Sequence, residues 1–211
     1  MRVSGLLSCL ILFMGLCGFA VAAPAGSPES VLAAIQKAID TGDMDAFERH
    51  VDMGRLIDQG VSAVVASLQE AGTVDTSGLP PMLALMASSV RQPEMARQVK
   101  ALLKSETASF VRYGVSSGAF AGKLRSGSSP DGLIAPLMRD ASTGRKEFRL
   151  RSRAQREASG SYLVPATVHD YGNGRDYHID LRVRAERDDW RVWEIANMDK
   201  LVSRLKKETE E

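Results

Sequence analysis

Residues 162–183, YLVPATVHDYGNGRDYHIDLRV, change the rhythm of the chain. Tyr162, Val164, Ala166 and Val168 alternate with Leu163, Pro165, Thr167 and His169, and Tyr177, Ile179, Leu181 and Val183 alternate with His178, Asp180, Arg182 and Arg184. A period of two places each set on one face of a strand, and Gly172-Asn173-Gly174 between the runs supplies a hairpin connection. Upstream, Phe148, Leu150 and Ser152 alternate with Arg149, Arg151 and Arg153. Downstream, WRVWEIA (190–196) follows the turn-forming ERDD (186–189). The segment 146–196 therefore predicts an antiparallel meander of about four strands.

Before it the period is helical. Ser27-Pro28-Glu29 reads as a helix start with Ser at the N-cap and Pro at the first helical position. Val31, Leu32, Ile35, Ala38 and Ile39 then form one stripe that ends at Thr41-Gly42. Asp43 is placed to cap a second helix carrying Met44, Phe47 and Val51, and Asp52 a third carrying Met53, Leu56, Ile57, Val61, Val64, Val65 and Leu68. A Met- and Leu-rich helix is expected near 82–90, another from Pro93, a short one within SSPDGLIAPLMRD (128–140), and a last one over 198–207. Helices followed by a meander give an α+β fold, with N-terminal helices packed on one face of a curved antiparallel sheet.

Residues 1–22, MRVSGLLSCLILFMGLCGFAVA, have a charged start, an apolar run and small residues at the end, the pattern of a secretory signal cut after Ala22 or Ala23. Residues 23–29 follow as a tether, and 30–211 as a single domain. Leu16, not a small residue, precedes Cys17, so the expectation is a soluble periplasmic or secreted product without a lipid anchor. The chain's two cysteines, Cys9 and Cys17, both lie in the leader. Cleavage would leave a cysteine-free product, with no disulfide framework, thiol nucleophile or thiolate metal site. No later segment is apolar for long enough to span a bilayer. The formal charge of +1 falls to about zero without Arg2, which gives no global attraction to nucleic acid. No cofactor is implied.

Several motifs invite chemistry. GDMDAFERHVDMGRLI (42–57) gathers Asp43, Asp45, Glu48, His50 and Asp52. A calcium loop counted from Asp43 would put Phe47 and Glu48 where a ligand and a Gly are needed, so the acids read as helix caps. GVSSG (114–118) matches the G-x-S-x-G nucleophile elbow with Ser116 at its centre, followed by Asp131 and His169 or His178 in hydrolase order. The elbow needs a strand before it, and the residues before Gly114 read as helix. His169 and His178 flank the hairpin without a third metal ligand. Arg149, Arg151 and Arg153 either dock an anionic group or pair across strands with Asp180 and Glu194.

AIQKAIDTGDMDAFERHVDMGRLI, SSPDGLIAPL and the strands ending in WRVWEIANM together resemble an exported bacterial family, domain of unknown function 2939. Its helix, cap and final-strand positions map onto Ala34-Ile35 or Ala38-Ile39, Asp43 or Asp45, Val51-Asp52, Pro130-Asp131-Gly132-Leu133 and Trp190. YLVPATVHDYGNGRDYHIDLRVRAERDDWRVWEIANM is also similar to the periplasmic phospholipid carriers of the toluene-tolerance type, through Val164-Pro165, Gly172 to Gly174 and Trp190 to Ile195. Met198-Asp199-Lys200 stands where those carriers have Gly-Val-Ser. Both resemblances imply a cone fold like nuclear transport factor 2, in which a sheet wraps helices around an apolar pocket.

On that plan Met82, Leu85, Met86, Met95, Leu102 and Leu103 would face Phe148, Tyr162, Tyr177 and Ile179 across an acyl-chain pocket, with Arg149, Arg151 and Arg153 at its rim meeting a headgroup. The alternative is that the same residues fill a closed core. The function expected is an exported, non-catalytic binding module for an apolar or lipid-like ligand or an envelope protein partner. A hydrolase using Ser116 is the competing reading.

Overall fold

The alternating run builds an antiparallel sheet in the computed structural model, which describes residues 26–71, 88–123 and 144–210. Its strands are β1 (Lys146–Leu150), β2 (Gln155–Arg156), β3 (Tyr162–Asp170), β4 (Arg175–Glu186) and β5 (Asp189–Ile195), in the order β1-β3-β4-β5 with β2 also on β3. The helices are α1 (Ser30–Thr41), α2 (Met44–His50), α3 (Met53–Ala71), α4 (Pro93–Ser116) and α5 (Met198–Glu210), with a single 3₁₀ turn at Ala119–Ala121. The fold is α+β.

Two expectations shift. The sheet has five strands, because the amide of Ala154 bonds to the Glu29 carboxylate at 2.8 Å and interrupts what would have been one long first strand. The chain rejoins β3 only at Gln155, opposite Leu163. The same contact changes the start of α1. The helix begins at Ser30, not at Pro28, and Ser27 contributes its carbonyl to the Ser30 amide at 2.9 Å. The caps expected at the next two helices form: Asp43 accepts from the Ala46 amide at 2.9 Å and Asp52 from the Arg55 amide at 3.2 Å. The predicted helices near 82–90 and 128–140 lie largely or wholly outside the described residues.

A sheet with two edges exposes two rows of unpaired peptide groups. Here the helices cover both. On β1, Gln36 of α1 donates to the Lys146 carbonyl (3.2 Å) and accepts from the Phe148 amide (2.9 Å). On β5, Gln59 of α3 donates to the Ile195 carbonyl (2.7 Å) and accepts from the Ile195 amide (3.0 Å). Further along β5, the Asp52 amide donates to Val192 O (2.8 Å) and His50 Nδ1 to Trp190 O (3.2 Å). The acid-rich corner between α2 and α3 is thus a clamp on a strand edge.

β5 carries a bulge. Arg182 pairs with Glu194 but Val183 pairs with Val192, so Trp193 is an extra residue in the ladder. Without it Val192 and Ile195, three positions apart, would face opposite sides. With it both face the helices, and Trp193 lies under the Arg55 guanidinium, 4.3 Å from the ring centroid.

The apolar stripes meet in two cores. The larger joins α1, α2 and the start of α3 to the sheet, with Val31, Val164, Val183 and Val192 at its centre. Each such burial stabilises by roughly 1.5–3 kcal/mol. The smaller lies between the far part of α3 and α4, and consists of Val61, Val65, Leu68, Val90, Val99 and Leu103.

Candidate ligand-binding cavity

Strand parity decides which side chains meet the helices. Lys146 and Phe148 share a face of β1, Val168 and Asp170 of β3, and Tyr177, Ile179 and Leu181 of β4, while the bulge adds Val192 and Ile195 of β5. Ile35, Phe47, Val51, Leu56 and Leu201 come down on them from the helical side. Together they line a cavity of about 390 Å³. That lies within the roughly 300–1,000 Å³ of small-molecule sites, near its lower end.

The wall is carbon except at the hairpin end. There Lys146 and Asp170, cross-strand partners in the β1–β3 ladder, form an ion pair whose side chains are only 12% and 5% exposed. Asp170 Oδ1 also accepts from the Gly172 amide at 2.8 Å. Beside them the Tyr177 hydroxyl accepts from Asn173 Nδ2 at 2.8 Å, and the Arg204 guanidinium of α5 lies 5.3 Å from its ring centroid. Withdrawing two charges from water costs several kcal/mol per ion before their attraction offsets it. This pair therefore marks the cavity's polar end.

The opposite face of the sheet is a lattice of exposed and half-exposed pairs. Arg182 bridges Glu157 and Glu194, Arg184 and Arg191 share Glu186, and Arg151 meets Asp180 at 2.5 Å. Arg149 grips Glu147 with two N–H groups at 3.2 Å, and Tyr171 donates to the same carboxylate at 2.7 Å. The Arg149 bonds first, then the Tyr171 hydroxyl, push the Glu147 carboxyl from its ordinary 4.5 to about 2. Glu157 is also lowered, first by the Ser161 hydroxyl and then by Arg182.

Among the residues expected in the pocket, Phe148, Tyr177 and Ile179 line the cavity. Tyr162 does not; it meets Trp190 edge-on at 5.3 Å. Met95 and Leu102 are each 38% exposed on α4, and Leu103 is buried in the α3–α4 core. The reason is that α4 spends its Val99–Leu103 stripe on the far part of α3, leaving α1, α2, the start of α3 and α5 as the cavity's helical walls. Met82, Leu85 and Met86 lie outside the described residues. The arginines do not reach the rim. Arg149 has the opposite parity to Phe148, Arg151 pairs with Asp180, and Arg153 sits in the irregular link after β1 ends at Leu150. Lys146 and Asp170 went unrecognised in the sequence, although they keep phase with Phe148 and Val168.

Ser116 is the exposed last residue of α4, so helix and not strand precedes it. Both glycines of GVSSG have structural reasons. A Cβ on Gly114 would lie 2.3 Å from the Phe120 ring, which packs edge-on against Phe110 at 5.7 Å. Gly118 has φ +78°, a left-handed conformation that ends the helix. His169 bonds to Asp176 at 2.7 Å and His178 to Thr167 at 3.0 Å. Among the described residues no three His, Cys, Asp or Glu side chains gather as a metal site.

Fold and cavity define an α+β domain with an apolar chamber between its helices and its sheet. No family model, curated protein or solved structure matches the chain. Among the described residues no helix is long and apolar enough to cross a membrane.

Proposed function

We propose that the chain is an exported, non-catalytic binding module of the bacterial envelope, built on a plan like nuclear transport factor 2, whose cavity takes an apolar or lipid-like ligand. The observation that carries this reading is the pocket of about 390 Å³, walled by carbon except at its hairpin end, where a buried ion pair and the Tyr177 hydroxyl lie. An apolar, part-open pocket of this size between helices and sheet suits a small apolar guest. The resemblance read in residues 162–198 to periplasmic phospholipid carriers, and the leader-like pattern of residues 1–22, motivate the same reading.

Protein expressed with its leader and recovered from the periplasm is expected to be cut after Ala22 or Ala23 and to carry a bound lipid-like mass in native mass spectrometry. Lipid extraction then identifies the guest. A ligand-free mass, together with an experimental structure in which the chamber is closed, would leave a scaffold instead.

A further inference from the structure

Lys146 and Asp170 are not needed for the shape of the cavity. An apolar pair at the same two ladder positions would close its hairpin end without the desolvation that two buried charges suffer. The same strands have an opposite face on which ion pairs reach water, as Arg149–Glu147 and Arg151–Asp180 do. The pair that faces the chamber therefore calls for its own explanation.

Its two members are held differently. Asp170 belongs to the hairpin: its Oδ1 accepts from the Gly172 amide and its carbonyl from the Gly174 amide, both at 2.8 Å. Lys146 is fixed only through its backbone, whose carbonyl accepts from Gln36 at 3.2 Å. Its ammonium ends a flexible four-carbon stem and carries three donors, of which one goes to Asp170 among the described residues. The ammonium is almost fully covered, so an anionic group entering here draws it partly away from Asp170 on its flexible stem, while the carboxylate keeps an amide partner. A cationic group would have to displace Lys146 and crowd two ammonium ions together. One further cation stands near, the Arg204 guanidinium over the ring of Tyr177, whereas Arg145, next to Lys146 in sequence, is already paired with Asp40 at 3.9 Å.

We propose that Lys146 anchors the anionic head of a single-chain amphiphile whose chain runs past Tyr177 and Ile179 toward Ile195. This rests on the reading of the cavity as a ligand site, and its small volume favours one chain over two. The head is a carboxylate or a phosphate.

Calorimetric titration of the leader-cleaved protein, stripped of lipid, with hexadecanoate, hexadecyl phosphate, hexadecanol and hexadecylamine tests it. At least one anion should bind roughly tenfold tighter than the alcohol, and the amine weakest. Whichever anion binds tighter names the head. Lys146→Met should bring the anions down to the alcohol and leave the alcohol unchanged, and Lys146→Arg should keep the preference. Lys146→Met with Asp170→Asn leaves no lone buried charge and should behave as Lys146→Met does, which guards against a folding defect. Alcohol binding as tightly as both anions, or amine binding tightest, would overturn the anchor while the cavity stands. Failure of all four to bind would overturn the cavity reading itself.

Discussion

Gln36 and Gln59 perform the same task at opposite edges of the sheet, each presenting one carboxamide to both an amide and a carbonyl of an edge strand. Each acts as a one-residue surrogate strand and also sets the height of its helix above the sheet. Gln59→Ala would leave both peptide groups of Ile195 without their side-chain partner, and Gln36→Ala those of Lys146 O and Phe148 N. Each is expected to cost about 1–3 kcal/mol in urea unfolding. Because the sites are independent, the double variant should be additive to within about 0.5 kcal/mol.

Filling the chamber separates binding from stability. Ile179 lines the cavity, so Ile179→Phe directs its added volume into existing space. The unfolding free energy measured in urea should change by less than about 1 kcal/mol, whereas an extra ring forced into a closed core costs about 1–3 kcal/mol. Displacement of an apolar fluorescent dye should be lost in the same variant.

Stability should hold from neutrality down to about pH 5 and then fall with acid. Glu147 and Glu157 are depressed below their ordinary 4.5 in the fold. Each therefore contributes fully above the unfolded value and loses its contribution as pH falls through the folded one. For Glu147 that window runs from 4.5 down to about 2. A side-chain titration by NMR should show its midpoint near 2, and Glu147→Gln should flatten the acid limb of the stability curve. A midpoint at 4.5 would show that Arg149 and Tyr171 do not hold it in solution.

Ser116 should be unreactive. At the end of α4 it lacks the strand that would thrust its hydroxyl forward, and a serine-directed fluorophosphonate should give no adduct there. Ser116→Ala should leave stability within about 0.5 kcal/mol, as for other exposed positions. A stoichiometric adduct would revive the hydrolase reading.

The period-two runs sufficed for the sheet and for the side that Phe148, Tyr177 and Ile179 take, because a strand has only two faces. They did not reveal which helices those residues meet. An amphipathic stripe such as Val99–Leu103 says that a face is buried, not what buries it, and here the partner is α3 instead of the sheet. The Arg149, Arg151, Arg153 row was read as one strand because nothing local announces that Glu29, 125 positions away, captures Ala154. Lys146 keeps phase with Phe148, but a lone lysine at a strand start carries less signal than three alternating arginines. The bulge left a trace too: Trp190 and Val192 keep step and Ile195 falls out of it.

That missed beat has a consequence for how the protein can vary. Trp193→Ala should be mild by comparison with deletion of residue 193, since its half-buried ring packs under the Arg55 guanidinium while its backbone supplies the extra position between Val192 and Glu194. Deletion would turn either Ile195 or the Trp190–Val192 pair away from the helices, so one wall of the chamber would lose its apolar lining and unfolding midpoints of the two variants should differ widely. The side chain at 193 is open to drift. The count of residues from Trp190 to Ile195 is not, and a descendant of this chain could change nearly every letter of that strand before it could change the strand's length.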